Sequence, residues 1–448
     1  MHLRRKLVAS LAVLASAVAL PLTATSPARA SAPDHSCNTV YQARIFFWAM
    51  TCAQPGQPVI GAFGTWRNVP ITFEPGSEAG AAEVSNYVRM VPNTDQTEGA
   101  NGGDIFGPSI DVGLHAEKTG ATTIGYGPRW TELGKRGGVT KAITAGLNPT
   151  VADNVNHTYM TVRQASGDQW DVLYDFNMVG TTTDQLKIPR GNPNRVDIGL
   201  EVRGPQHVTV PPIANRMQFM AENKAWARAA TADTTQLTTL GICGKSMGIP
   251  SDPAAVYKAP YCFEAKLTDS TTSIQWTVSK PGPTVGPAPT TPARAAGTFN
   301  GVDQKALSNC LATDPESCMN TVPGLSNCVQ TVKVCNAAAL QSPQRDAARK
   351  PGRHGEPADI AERAAKSFGV ARDGIRVASG IRLPNAKDSS STAPQSSAIA
   401  GTSVVTVESA APTRGLEHRG LTFQGFRATY STETGQLLEA CWGQMCQS

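Results

Sequence analysis

Two stretches decide the fold: WDVLYDFN, residues 170–177, and VDIGLEVR, residues 196–203. In the first, Trp170, Val172, Tyr174 and Phe176 alternate with Asp171, Leu173, Asp175 and Asn177. In the second, Val196, Ile198, Leu200 and Val202 alternate with Asp197, Gly199, Glu201 and Arg203. A period of two places one set on a buried face and the other on a wetter one, which is the mark of a β-strand. Ile274, Trp276 and Val278 repeat the pattern, and turn-forming clusters at 166–168, 189–193 and 268–270 separate the runs. One short helix is expected around Ala214 to Ala230. Many strands in residues 31–280 predict a jelly-roll-like β-sandwich, so the protein is expected to be mainly β.

In size and strand pattern this region resembles the concanavalin-like lectin and glucanase sandwiches. The resemblance implies a β-sandwich; no motif of those families is matched. Pro281 to Gly297 carries five prolines and reads as a stiff linker over 281–298. Residues 299–448 read as a smaller α+β domain. A Cys-bearing helical region spans about Val302 to Leu340, and a helix is expected from Asp359 to Phe368. Strands follow at Ile375–Leu383, Ser403–Glu408, Leu421–Tyr430 and Leu437–Trp442. This last part, with Glu433-Thr434-Gly435-Gln436-Leu437-Leu438, resembles PepSY modules, which implies an association with secreted peptidases and their inhibition.

Residues 1–30 have a basic start, an apolar run from Leu7 to Leu22, and small residues at Ala28 and Ala30. That is the pattern of a secretory signal peptide, so a secreted, extracellular protein is expected, with no membrane contact after cleavage. Removing the four bases of this segment lowers the formal net charge from +5 to +1. Residues 299–448 hold 15 basic and 13 acidic residues, so neither part has the charge of a nucleic-acid binder. All ten cysteines follow the signal segment: Cys37, Cys52, Cys243 and Cys262 before the linker, and Cys310, Cys318, Cys328, Cys335, Cys441 and Cys446 after it. An even number in an exported chain predicts disulfides. Proximity suggests Cys37–Cys52, Cys243–Cys262 and Cys441–Cys446, with the other pairings open.

The search for chemistry yields fragments. Gly244-Lys245-Ser246-Met247-Gly248 has the spacing of a nucleophile elbow, but Pro250 and Pro253 follow where a helix must start. Thr239 stands where a phosphate loop needs glycine. Asp175 and Glu201 could serve as a glycosidase carboxylate pair if their strands adjoin. His115, near Asp111 and Glu117, and His157, near Asp153, have the composition of a metal or acid–base site, yet such histidines are most often simply packed. The turn 101–104 has too few oxygen ligands for a calcium loop. Trp130, in a Gly/Pro-flanked segment, is the best candidate for an exposed sugar-stacking ring. Arg349-Lys350 is a candidate processing site. No cofactor and no metal are expected. These features favour a non-catalytic binder of carbohydrate or cell-envelope material, with extracellular glycan or cell wall as partner. A secreted hydrolase of polysaccharide or peptide, and a peptidase-inhibiting or protein-interaction module, are the alternatives.

Overall fold

The computed structural model describes residues 47–53, 58–73, 82–91, 109–118, 124–143, 152, 155–184, 195–203, 208–223, 226–229, 234–238, 247–249, 252–257, 264–270, 273–279, 297–331, 334–338, 356–381, 403–416 and 421–446. Residues 1–30, expected to be a signal peptide, most of 281–298, expected to be a linker, the stretches 344–355 and 388–401, Cys37, Cys243, Cys262, Asp153, residues 101–104 and Gly244-Lys245-Ser246 lie outside these residues. The expected strands are present. Two antiparallel sheets stack as a sandwich. Among the described residues the larger has eleven strands, ordered Thr234–Thr238, Phe47–Ala53, Arg195–Arg203, Ala82–Val91, Ser109–Lys118, Ile124–Gly134, Gly137–Ala142, Leu437–Gly443, Phe423–Ser431, Ser403–Thr413 and Arg376–Ile381. The smaller runs Asn177–Thr181, Trp170–Tyr174, Asn156–Arg163, Val59–Arg67, Ile213–Ala221, Ser273–Ser279 and Glu264–Ser270, and Trp226–Arg228 also pairs with Ile213–Ala221.

The alternation read from the sequence builds the core. Val84, Val88, Val112, Leu114, Ile198 and Leu200 of the larger sheet meet Trp66, Tyr159, Trp170, Val172 and Met217 of the smaller. Trp66 and Tyr159 stack with centroids 4.1 Å apart. The smaller sheet is buried on its other face as well. Phe63, Met160, Leu173, Phe176 and Met220 pack against Val302, Leu307, Met319 and Leu325 of a disulfide-bonded helical segment. Its helices are Gln304–Thr313, Cys318–Thr321 and Leu325–Thr331. Disulfides join Cys310–Cys318, Cys328–Cys335 and Cys441–Cys446, and Cys52 is also disulfide-bonded.

The helix expected over Ala214 to Ala230 is instead the strands Ile213–Ala221 and Trp226–Arg228. Met217, Gln218, Phe219 and Met220 are all buried, because this strand is covered on both sides. Two-sided burial erases the period of two and leaves an apolar run that reads as a helix.

After residues 281–298 the chain returns to the same sheet. Leu437–Gly443 pairs with Gly137–Ala142, with Cys441 opposite Val139. The helix Pro357–Phe368 lies on the outer face of this sheet, where Ile360, Ala364 and Phe368 pack against Leu133, Val405, Phe426 and Trp442. Gly369 ends the helix in the left-handed conformation, at φ 67°. Among the described residues no helix is long and apolar enough to cross a membrane.

Phe368 is fully buried, stacked on Phe426 at 3.9 Å and edge-on to Trp442. Phe368→Ala should cost about 3–5 kcal/mol, read as a lower urea midpoint at unchanged slope. An unchanged midpoint would show that the helix is not seated on the sheet in this way.

Candidate functional site

The outer face of the larger sheet carries the residues that the alternation turns away from the core. Register aligns them in rows across the strands Arg195–Arg203, Ala82–Val91, Ser109–Lys118 and Ile124–Gly134. One row is Asp197, Arg89, Asp111 and Thr131. The next is Gly199, Tyr87, Gly113 and Arg129, followed by Glu201, Ser85, His115 and Gly127. Glu83 and Glu117 face each other in the row beyond. Ser85, Tyr87, Asp111, Gly113, Leu114, His115, Arg129, Thr131 and Glu201 line a small cleft that opens to solvent. Gly113 forms its floor. A Cβ there would fall 2.1 Å from the Asn86 carbonyl oxygen and 2.5 Å from Tyr87 Cα, so the neighbouring backbone admits only glycine.

Arg89 organises one half of the cleft. Its Nε and Nη2 each donate to Asp111 at 2.7 Å, and its guanidinium lies over the Tyr87 ring at 4.5 Å. Tyr87 Oη donates to Glu201 Oε2 at 2.8 Å. Burial disfavours the charge on Arg89, but Asp111, Tyr87 and Glu201 outweigh it and keep the guanidinium protonated. Burial and the Glu201 charge push the Tyr87 phenol up against the opposing pull of Arg89, so it stays neutral. Arg89 Nη2 is 2.7 Å from Asp111 Oδ2 and 3.7 Å from Glu201 Oε2, so the two carboxylate oxygens are no farther apart than the sum of those distances.

The other half centres on His115. Ser85 Oγ lies 2.9 Å from its Nδ1, Glu83 Oε1 3.8 Å from Nδ1, and Glu117 Oε2 3.5 Å from Nε2. Arg129 Nη2 reaches Glu83 at 3.5 Å. Burial alone would raise the Glu117 carboxyl, but the hydrogen bond and charge of His115, with the charges of Arg129 and Arg363, hold it at about 2. Arg363 belongs to the helix Pro357–Phe368, so the segment after the linker contributes charge to this end of the face.

The structure redistributes the residues picked from the sequence. Glu201 lines the cleft, whereas Asp175 sits in the other sheet. It occupies the turn between Trp170–Tyr174 and Asn177–Thr181, so the two strands do not adjoin. The acid near Glu201 is Asp111. Asp175 and Phe176 take positive φ values of 47° and 62°, an arrangement that a two-residue hairpin turn requires. Asp175 holds His157 Nδ1 at 2.7 Å and accepts the Thr158 N–H, and Phe176 is buried, which offsets the conformational cost. Trp130, expected on the surface, is only 2% exposed. Its Gly/Pro-flanked segment is part of the strand Ile124–Gly134, in which Tyr126 and Trp130 face the core and Arg129 and Thr131 face the cleft. The indole lies over Gly180, where an added Cβ would come within 2.5 Å of the ring. His115, Asp111 and Glu117 share the outer face. Glu83, Ser85, Tyr87, Arg89, Arg129 and Thr131 were not anticipated; their signal is the polar phase of two alternating strands, visible only once those strands are placed side by side. No helix follows the Gly244–Gly248 motif: Met247–Ile249 and Asp252–Tyr257 are strands.

No family model matches the sequence, and no curated protein matches it. Among solved structures the chain is similar to the κ-carrageenase of Pseudoalteromonas carrageenovora, solved with an oligotetrasaccharide of κ-carrageenan. Identity is 9% over 35% of this chain and 67% of that one, with a TM-score of 0.19. It is also similar to the CBM40 of Ruminococcus gnavus IT-sialidase bound to α2,3-sialyllactose, at 10% identity over 35% of this chain and 85% of that one, TM-score 0.18.

Gly113→Ala should destabilise the protein by about 1–3 kcal/mol and displace Tyr87, measured as a lower Tm and altered near-ultraviolet circular dichroism. A carboxyl lowered on folding contributes stability above its unfolded pKa and loses it as pH falls through the folded one. The stability advantage of the native chain over Glu117→Gln should therefore be full at neutral pH and shrink as pH falls from 4.5 to about 2. Denaturant titrations at several pH values read that difference; a constant difference would show that Glu117 is not held ionised by these neighbours.

Proposed function

We propose that this is an extracellular carbohydrate-binding protein and that the cleft on the outer face of the larger sheet is its ligand site. The observation that carries the reading is the set of donors and acceptors fixed by strand register around Gly113. Ser85, Arg129 and Thr131 offer donors, and Asp111 and Glu201 offer acceptors, in one solvent-open cleft. A sugar hydroxyl both donates and accepts, so its recognition calls for both kinds of group at fixed positions. Strands hold such groups more rigidly than loops do. The signal-like first thirty residues and the disulfides support an extracellular setting in which glycan or cell wall is the partner. Division of the chain at 281–298 into a sandwich part and a smaller α+β part belongs to the same proposal.

A hydrolase is the second reading, favoured by the closeness of Asp111 and Glu201. It requires one carboxyl to be held protonated as the acid. Here Asp111 is held by two hydrogen bonds from Arg89 and Glu201 accepts from Tyr87, so both carboxylates are already engaged within the protein. Binding without cleavage is the better account.

The test is co-sedimentation of the full exported chain with insoluble polysaccharides and purified cell wall, in the presence of a chelator, with assay of released sugar. Retention without release is expected, and Arg129→Ala should weaken it about tenfold, the worth of a charged hydrogen bond. Release that disappears in Asp111→Asn would favour the hydrolase, and absence of retention would overturn both readings.

A further inference from the structure

We propose that Glu83, His115 and Glu117 form a binding site for one divalent transition-metal ion, with Zn²⁺ as the representative ion. This site does not depend on the carbohydrate reading. One donor atom from each residue lies within 4.8 Å of the other two. A tetrahedral ion with bonds of about 2.1 Å sets its donors about 3.4 Å apart, so the side chains must close in by about an ångström on binding. One nitrogen and two anionic oxygens suit a borderline ion such as Zn²⁺ better than Ca²⁺, which takes six or more oxygens.

Three further features point the same way. Glu83 and Glu117 are directly opposed across two strands, where like charges repel and a cation between them relieves the repulsion. Each ligand also has a polar or charged neighbour of its own. Ser85 holds the His115 ring at 2.9 Å, Arg129 contacts Glu83 at 3.5 Å, and the charge of Arg363 acts on Glu117. Metal ligands are oriented by partners of this kind, which fix the ring and the carboxylates in place. Finally, Ser85 and His115 line the solvent-open cleft, which provides an entry path and leaves coordination positions facing it. The two guanidinium groups set the limit on affinity. With two carboxylates and two arginines the side-chain charges cancel, so the bound ion carries an uncompensated double charge. Binding is therefore expected near micromolar, about −8 kcal/mol, rather than nanomolar. The open positions should favour an anionic oxygen.

The test is calorimetric titration of the full exported chain, disulfides intact and stripped with chelator, with Zn²⁺, paired with visible spectra of the Co²⁺ form. One saturable site near micromolar and a Co²⁺ spectrum with a nitrogen ligand are expected. His115→Ala and Glu117→Gln should each abolish the site, while Ser85→Ala, which removes only the support of the ring, should weaken it about 10–100-fold. Circular dichroism separates loss of the site from loss of the fold; if His115→Ala does not fold, Ser85→Ala and the Co²⁺ spectrum decide. No saturable binding, or binding that folded His115→Ala retains, would overturn the proposal. Because glycan retention is read in chelator and metal binding without glycan, either can fail alone.

Discussion

The Arg89 guanidinium is the charge around which the outer face of the larger sheet is arranged. It lies on a central strand, is 4% exposed, and holds Asp111 through two parallel hydrogen bonds while standing over Tyr87 and near Glu201. Desolvating such a charge costs several kcal/mol, and only paired, hydrogen-bonded geometry repays it. The surrounding residues follow from that requirement. Asp111 must sit opposite Arg89 in register, and Tyr87 must keep its proton so that it can donate to Glu201. A slip of one residue would move every one of these groups to the core side.

The two faces of the sandwich meet different demands. The smaller sheet is apolar on both faces, and the helical disulfide segment is what makes its second face tenable. The two meet through polar contacts as well: the Asn177 side chain accepts from the backbone N–H groups of Cys335 and Asn336 and donates to the Asn336 carbonyl. Gln218 donates to the Glu316 carbonyl nearby. Among the described residues the larger sheet instead keeps a polar outer face on its central strands and an apolar one where the helix Pro357–Phe368 rests on it.

Much of the sandwich was legible in the sequence because strands with one wet face alternate cleanly. Arg195–Arg203 does so: Val196, Ile198, Leu200 and Val202 face the core, while Asp197 and Glu201, expected to be solvated, are buried by their partners on the other face. Ile213–Ala221 does not, because coverage on both sides removes the polar phase. Trp130 misled for a related reason: Gly127 and Pro128 suggest a loop, yet the glycine lies in a cleft-facing row of a central strand. The site itself was half visible. His115, Asp111 and Glu117 lie on one strand, so their even spacing shows a shared face. Their partners on Ala82–Val91 and Arg195–Arg203 depend on which strands adjoin, and that information is carried by no local pattern. The pairing of Asp175 with Glu201 failed on the same point.

The return of the last strands to the first sheet has a consequence for how the protein is made. Gln436 donates to the carbonyl of Tyr126 across 310 residues of chain, and Leu437–Gly443 closes onto Gly137–Ala142 in the same place. Until that late segment emerges, Gly137–Ala142 is a bare edge with unpaired N–H and C=O groups, open to strands of other chains. Contacts of such long span form slowly, since loop closure precedes any gain from pairing. During synthesis the vulnerable species is therefore an almost complete chain whose sheet is still open in its middle, and a truncation near the C-terminus would leave it so.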